Sequence, residues 1–108
     1  MDKIDKIVID LNNTQLDERF AFNTNFAVGV ENMLMDLYNI GFDVPTSIKG
    51  TQEQIDKFFR ALKNEKRYMD SYMKYGLGDT RTMMSKRDLD SAVRGFEGET
   101  GLRWPFKN

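Results

Sequence analysis

The sequence contains no cysteine and no histidine. Lack of cysteine excludes disulfides, thiolate nucleophiles and thiolate metal sites. Lack of histidine removes the commonest general base at neutral pH and the commonest zinc ligand. No apolar run approaches the roughly 20 residues of a membrane span. The opening MDKIDKIVID mixes acids and lysines, unlike the basic-then-apolar layout of a secretory leader. No glycine-rich phosphate loop is present, since Gly76-Leu77-Gly78 follows a helical pattern instead of preceding one. Asp2, Asp5, Asp10, Asp17 and Glu18 crowd the first segment, but nothing fixes two of them at a spacing suited to acid–base chemistry. The expectation is a cytoplasmic, non-enzymatic protein with no cofactor, no metal and no membrane partner.

What is present suffices for one domain, residues 1–108. A chain of this length buries roughly two-thirds of the surface its unfolded form exposes, enough for a core without staples. Net charge is −1, unevenly spread. Met1 to Phe59 carries five basic and ten acidic residues, whereas Arg60 to Asn108 carries eleven basic and seven acidic. Such a split suits a nucleic-acid patch on the second half, or contact between two copies through complementary charge.

The patterns predict a mainly α fold: a three-helix domain with a short N-terminal strand or helical turn and a docked C-terminal tail. KIDKIVIDLNN fits both helical spacing (Ile4, Ile7, Val8, Leu11) and strand spacing (Ile7, Ile9, Leu11). Its β-branched residues favour a strand. The partner would be Glu18–Phe22, the stretch near Ile48, or a second copy. A first helix is expected near 24–40, capped by Asn23 or Thr24 and ended by Gly41 with Phe42 behind it. Its apolar stripe is Phe26, Val30, Met33, Leu34, Leu37 and Tyr38.

A second helix near 52–75 opens at Thr51, with Gln54 at capping-box distance. Ile55, Phe58, Phe59, Leu62, Met69, Tyr72 and Met73 share its apolar face. Glu53–Lys57, Asp56–Arg60 and Asp70–Lys74 are favourable pairs. Glu65 interrupts that face, which implies a local bend, a partly wet edge or a polar contact with a partner. A third helix near 86–98 is expected from Ser85 and Asp88, with Leu89, Ala92, Val93 and Phe96 facing the core. Ser91, Gly95 and Gly98 form a small-residue groove along it, or a weak last turn.

Gly101 suits a left-handed helix end, and Leu102 would fold back onto Phe96. Pro105 holds Trp104 extended. Trp104 is therefore expected to be largely buried near Phe96 and Leu102, in its own chain or in a neighbour's groove.

Tyr68, Met69, Tyr72, Met73 and Tyr75 lie close together, and Met83–Met84 follow. Methionine and tyrosine adapt to irregular partners, and tyrosine keeps a polar end at a wet interface. The favoured reading is an interaction, adaptor or assembly subunit that associates with itself or another protein. Its interface would draw on Tyr68, Tyr72, Met73, Tyr75, Trp104 and Phe106. The alternative is a nucleic-acid-binding accessory protein using Arg81, Lys86, Arg87 and Arg94. A crude helix-turn-helix is weakened by the long TRTMMSKRD connection and by intervening acids.

Overall fold

A computed structural model describes residues 7–12, 24–38 and 46–106. Among them the chain forms, in order, β1 (Ile7–Asp10), α1 (Thr24–Leu37), β2 (Thr46–Lys49), α2 (Gln52–Tyr75) and α3 (Thr80–Thr100). The fold is the mainly helical, three-helix arrangement expected.

The first segment is a strand. β1 pairs parallel with β2, Ile7 opposite Thr46 and Asp10 opposite Lys49, so the stretch near Ile48 is its partner. Parallel neighbours need a crossover, and α1 lies within that connection and packs on β1. Leu11 N–H extends the ladder to the Lys49 carbonyl at 2.8 Å. The chain runs close here: a Cβ on Gly50 would stand 3.1 Å from Leu11 Cβ. The strand's pairing within the chain removes one argument for self-association.

α1 buries Phe26, Val30 and Leu34 and packs Met33 and Tyr38 against the core, but Leu37 stays 43% exposed at its end. The caps expected at Asn23 and Gly41–Phe42 lie outside the described residues.

α2 starts as predicted. Thr51 accepts from Gln54 N–H at 3.1 Å, and the Gln54 side chain accepts from Thr51 N–H at 2.8 Å. α3 starts six residues earlier than expected. Asp79 is its N-cap, accepting from Arg81 N–H at 2.8 Å. Ser85 and Asp88 lie inside the helix, so their capping-box spacing was incidental. TRTMMSKRD is thus the first turns of α3, not a connection, and only Gly76–Asp79 join the helices.

The two helices form an antiparallel hairpin. Lys57 and Phe58 near the start of α2 lie beside Gly95 and Phe96 late in α3, whereas Ser71 near the end of α2 lies by Thr82 early in α3. The Lys57 stem lies along the small groove at Gly95, with Cδ 3.7 Å from a Cβ placed there, while Gly98 faces open space. The core gathers Ile9 and Leu11 from the sheet segment, three residues of α1, Phe58, Ala61 and Leu62 of α2, and Leu89, Ala92, Val93 and Phe96 of α3.

Two expected ion pairs are replaced. Asp70 turns back to Lys66 at 2.8 Å instead of forward to Lys74, and Asp56 accepts from Gln52 Nε2 at 2.8 Å.

Candidate interaction surface

The C-terminal tail is an internal anchor. Gly101 takes the left-handed conformation, φ 78°, and its N–H bonds the Glu97 carbonyl. Leu102 is buried, and its N–H donates to Thr100 Oγ1 at 3.1 Å. The chain then brings Trp104 back onto α2 and α3. Its ring sits 5.4 Å from Phe96, 6.0 Å from Phe58 and 6.4 Å from Phe26. Only 1% of Trp104 is exposed. The expected burial near Phe96 is met within its own chain, which corrects its place in the interface: Trp104 is spent on its own core and is not open to a partner. Phe106 is half-buried against it at 6.2 Å.

Glu65 explains the break in the apolar seam. It is buried, and its Oε1 accepts the Trp104 indole N–H at 2.8 Å. An indole N–H needs a partner when taken from water. The acid supplies it, and Glu97 Oε2 takes the Trp104 backbone N–H at 2.7 Å. Burial pushes the Glu65 carboxyl above its ordinary range, opposed by the indole hydrogen bond and by Lys86. Sequence offered the acid and the tryptophan 39 positions apart, with no local signal linking them.

Beside this anchor lies a groove of about 240 Å³ lined by Leu89, Val93, Trp104 and Phe106, with Lys86, Asp90, Arg94 and Glu97 on its rim. The four cations of the nucleic-acid reading do not form one face. Arg81 is held by Asp79 at 3.0 Å and stacks 3.5 Å over Tyr75. Lys86 bridges to Asp90 at 3.3 Å. Arg94 shares the groove rim with acids, and Arg87 is exposed away from that lining.

The tyrosines also divide. Tyr68 is half-buried against the core. Tyr75 is half-buried beneath the Arg81 guanidinium. Tyr72 and Met73, on the apolar stripe of α2 and named for the interface, are both exposed, Met73 at 66%. Phe59, expected in the same face, is 37% exposed. The apolar stripe is wider than the surface available to cover it, so its edges emerge.

Leu77 in the connection and Met83 and Met84 at the start of α3 are exposed too. With Tyr72 and Met73 they make five exposed apolar residues within about a turn of the hairpin tip, called the collar below. Sequence reasoning missed Leu77, and placed Met83–Met84 in a loop when they belong to a helix. Beneath the collar Thr82, 1% exposed, donates to the Ser71 carbonyl at 3.1 Å and ties the two helices together.

Elsewhere Tyr38 links α1 to α2, its hydroxyl donating to Asp70 Oδ1 at 2.8 Å. Burial, then that hydrogen bond and the nearby acids, push the phenol up to about 12, so it remains a donor. The Lys66 hydrogen bond, with the one from Tyr38, holds the Asp70 carboxyl below its ordinary range. Among the described residues no group of three or more acids could hold a metal ion, and no helix is long and apolar enough to cross a membrane.

No protein-family model matches the chain, and neither a curated protein nor a solved structure matches it significantly.

Proposed function

We propose that this protein is a small non-enzymatic interaction or assembly subunit that self-associates through the tip of the α2–α3 hairpin. One observation carries the reading: Tyr72, Met73, Leu77, Met83 and Met84, each between 48% and 66% exposed, all fall in the end of α2, the connection and the start of α3. Single exposed apolar residues are ordinary, but five large ones around one turn suggest a contact surface. Methionine and tyrosine suit it, because thioether chains adapt to a facing surface and the phenol tolerates a wet rim.

A second copy is the simplest occupant, since an isologous two-fold contact would set tip against tip. A stable contact of this kind buries about 1,200–2,000 Å² in total. The non-enzymatic reading rests on the sequence, which lacks the thiol and imidazole groups most catalytic sites use.

Light scattering across a concentration series tests the proposal. The wild-type chain is expected to gain mass with concentration, and the double variant Met73→Asp, Met84→Asp to remain monomeric with an unchanged helical spectrum. A wild-type chain that stays monomeric throughout would overturn self-association.

A further inference from the structure

The outer face of α2 carries a feature that self-association does not use. Arg60, Lys63 and Arg67 stand at i, i+3 and i+7, so they form one stripe. At 1.5 Å per residue the stripe spans about 10 Å. All three side chains are exposed, and among the described residues none of the three is engaged in an ion pair. Lys66, Arg81 and Lys86, by contrast, are each neutralised by an aspartate. The stripe borders a shallow groove of about 330 Å³ whose described lining is completed by Asp56, Phe59 and Asn64. Asp56 is the one acid in that lining, and it is already accepting from Gln52.

Phe59 gives this cationic face a second chemistry. Its ring is 37% exposed and is held by an edge-to-face contact with buried Phe58, centroids 5.4 Å apart. A fixed aromatic face beside guanidinium and ammonium groups suits a partner that presents both anions and flat rings. An acidic peptide would satisfy the cations and leave the ring unused. A duplex has its bases already stacked on each other. An unpaired strand offers phosphates for the forked guanidiniums and a free base for the ring.

We propose that the outer face of α2 binds single-stranded nucleic acid, with Arg60, Lys63 and Arg67 on successive phosphates and one base stacked on Phe59. The site is independent of the hairpin-tip contact, and it replaces the scattered cations of α3 as the nucleic-acid face.

Fluorescence anisotropy with a short labelled oligothymidylate tests this on the full chain. Saturable binding is expected at low salt, with log affinity falling against log salt at a slope near −2, about 0.7 per phosphate for three contacts. Changing Arg60, Lys63 and Arg67 together to alanine should abolish binding. Phe59→Ala should weaken it roughly tenfold, the ordinary effect of losing one stacked base, while Phe59→Trp preserves it. Arg87→Ala with Arg94→Ala should leave it unchanged. A thermal melt of each variant separates loss of binding from loss of fold.

Absence of saturable binding at low salt would overturn the proposal. So would an equal loss from the Arg87 and Arg94 pair. Binding of polyglutamate that needs the three cations but ignores Phe59 would assign the face to an acidic protein instead. None of these outcomes bears on the tip, whose substitution should not change oligonucleotide affinity.

Discussion

The two ends of the α2–α3 hairpin are built from the same kind of sequence and finished differently. At the open end, apolar residues meet α1, the strands and the returning tail. Phe26, Phe58, Phe96 and Trp104 pack there with centroids 5.4–6.4 Å apart. At the tip, Thr82 and Ser71 hold the helices by hydrogen bonds, and Tyr72, Met73, Leu77, Met83 and Met84 face outward. An amphipathic stripe is thus only a request for cover. The chain supplies that cover at one end, and we read the other as the place where a partner supplies it.

Four variants probe this contrast. Trp104→Ala should have the largest effect, lowering stability by about 3–5 kcal/mol, because the cavity would open among three phenylalanines and leave Glu65 without its indole donor. Urea unfolding checks it. A loss below about 1 kcal/mol would show the tail to be dispensable and erase the difference between the ends.

Thr82→Val keeps the shape at the tip and removes the hydroxyl that donates to the Ser71 carbonyl. The expected cost is about 1 kcal/mol, that of a single buried hydrogen bond. Equilibrium unfolding of this variant measures how much holds the tip without an aromatic cluster.

Glu65→Gln sharpens the open end through pH. The folded Glu65 carboxyl lies above its ordinary value of 4.5, so between those values the folded state keeps a proton that the unfolded chain releases. Its charge therefore costs stability as pH rises through that window, and the cost disappears below it. Asp70 has the opposite sign. Its value is lowered, so its contribution is present above the ordinary aspartate range and is lost as pH falls through the folded value. Glutamine keeps an oxygen for the Trp104 indole and carries no charge. The variant should gain on the wild type at neutral pH and lose that advantage in acid. Denaturation midpoints measured across the window check it. A difference independent of pH would mean that Glu65 acts only as a hydrogen-bond acceptor.

Met73→Asp with Met84→Asp should change monomer stability least, by within about 0.5 kcal/mol, because both side chains are already mostly in water. Thermal denaturation of dilute protein measures this separately from association. A large destabilisation would show that the tip is packed inside its own chain and has no surplus to offer.

The second helix was legible almost to the residue, since Thr51 with Gln54 and Gly76 mark its ends locally. The buried face of the third helix was equally legible in Leu89, Ala92, Val93 and Phe96. Its start was not, because Ser85–Asp88 and Asp79 present similar capping chemistry and only the hairpin geometry chooses between them. For the site, Tyr72 and Met73 were named for an interface and are exposed, whereas Trp104 was named with them and is buried in its own core. Leu77, Phe59 and the Arg60–Lys63–Arg67 stripe were not read as site residues. Periodicity tells which residues share a face. It does not tell how wide a neighbour will cover that face.

The sequence by itself determined the class of fold, the capping box at Thr51, the left-handed end at Gly101 and the directed tail, because those depend on contacts within a few residues. It also determined what chemistry is missing. Tertiary structure alone decided that β1 pairs with β2, since strand spacing is the same for any partner. It decided that Trp104 closes its own core, and that Glu65 is an indole acceptor instead of a wet edge. It also decided which apolar residues remain outside. Each of these depends on groups far apart in the chain reaching one place, and on how much surface remains once they have.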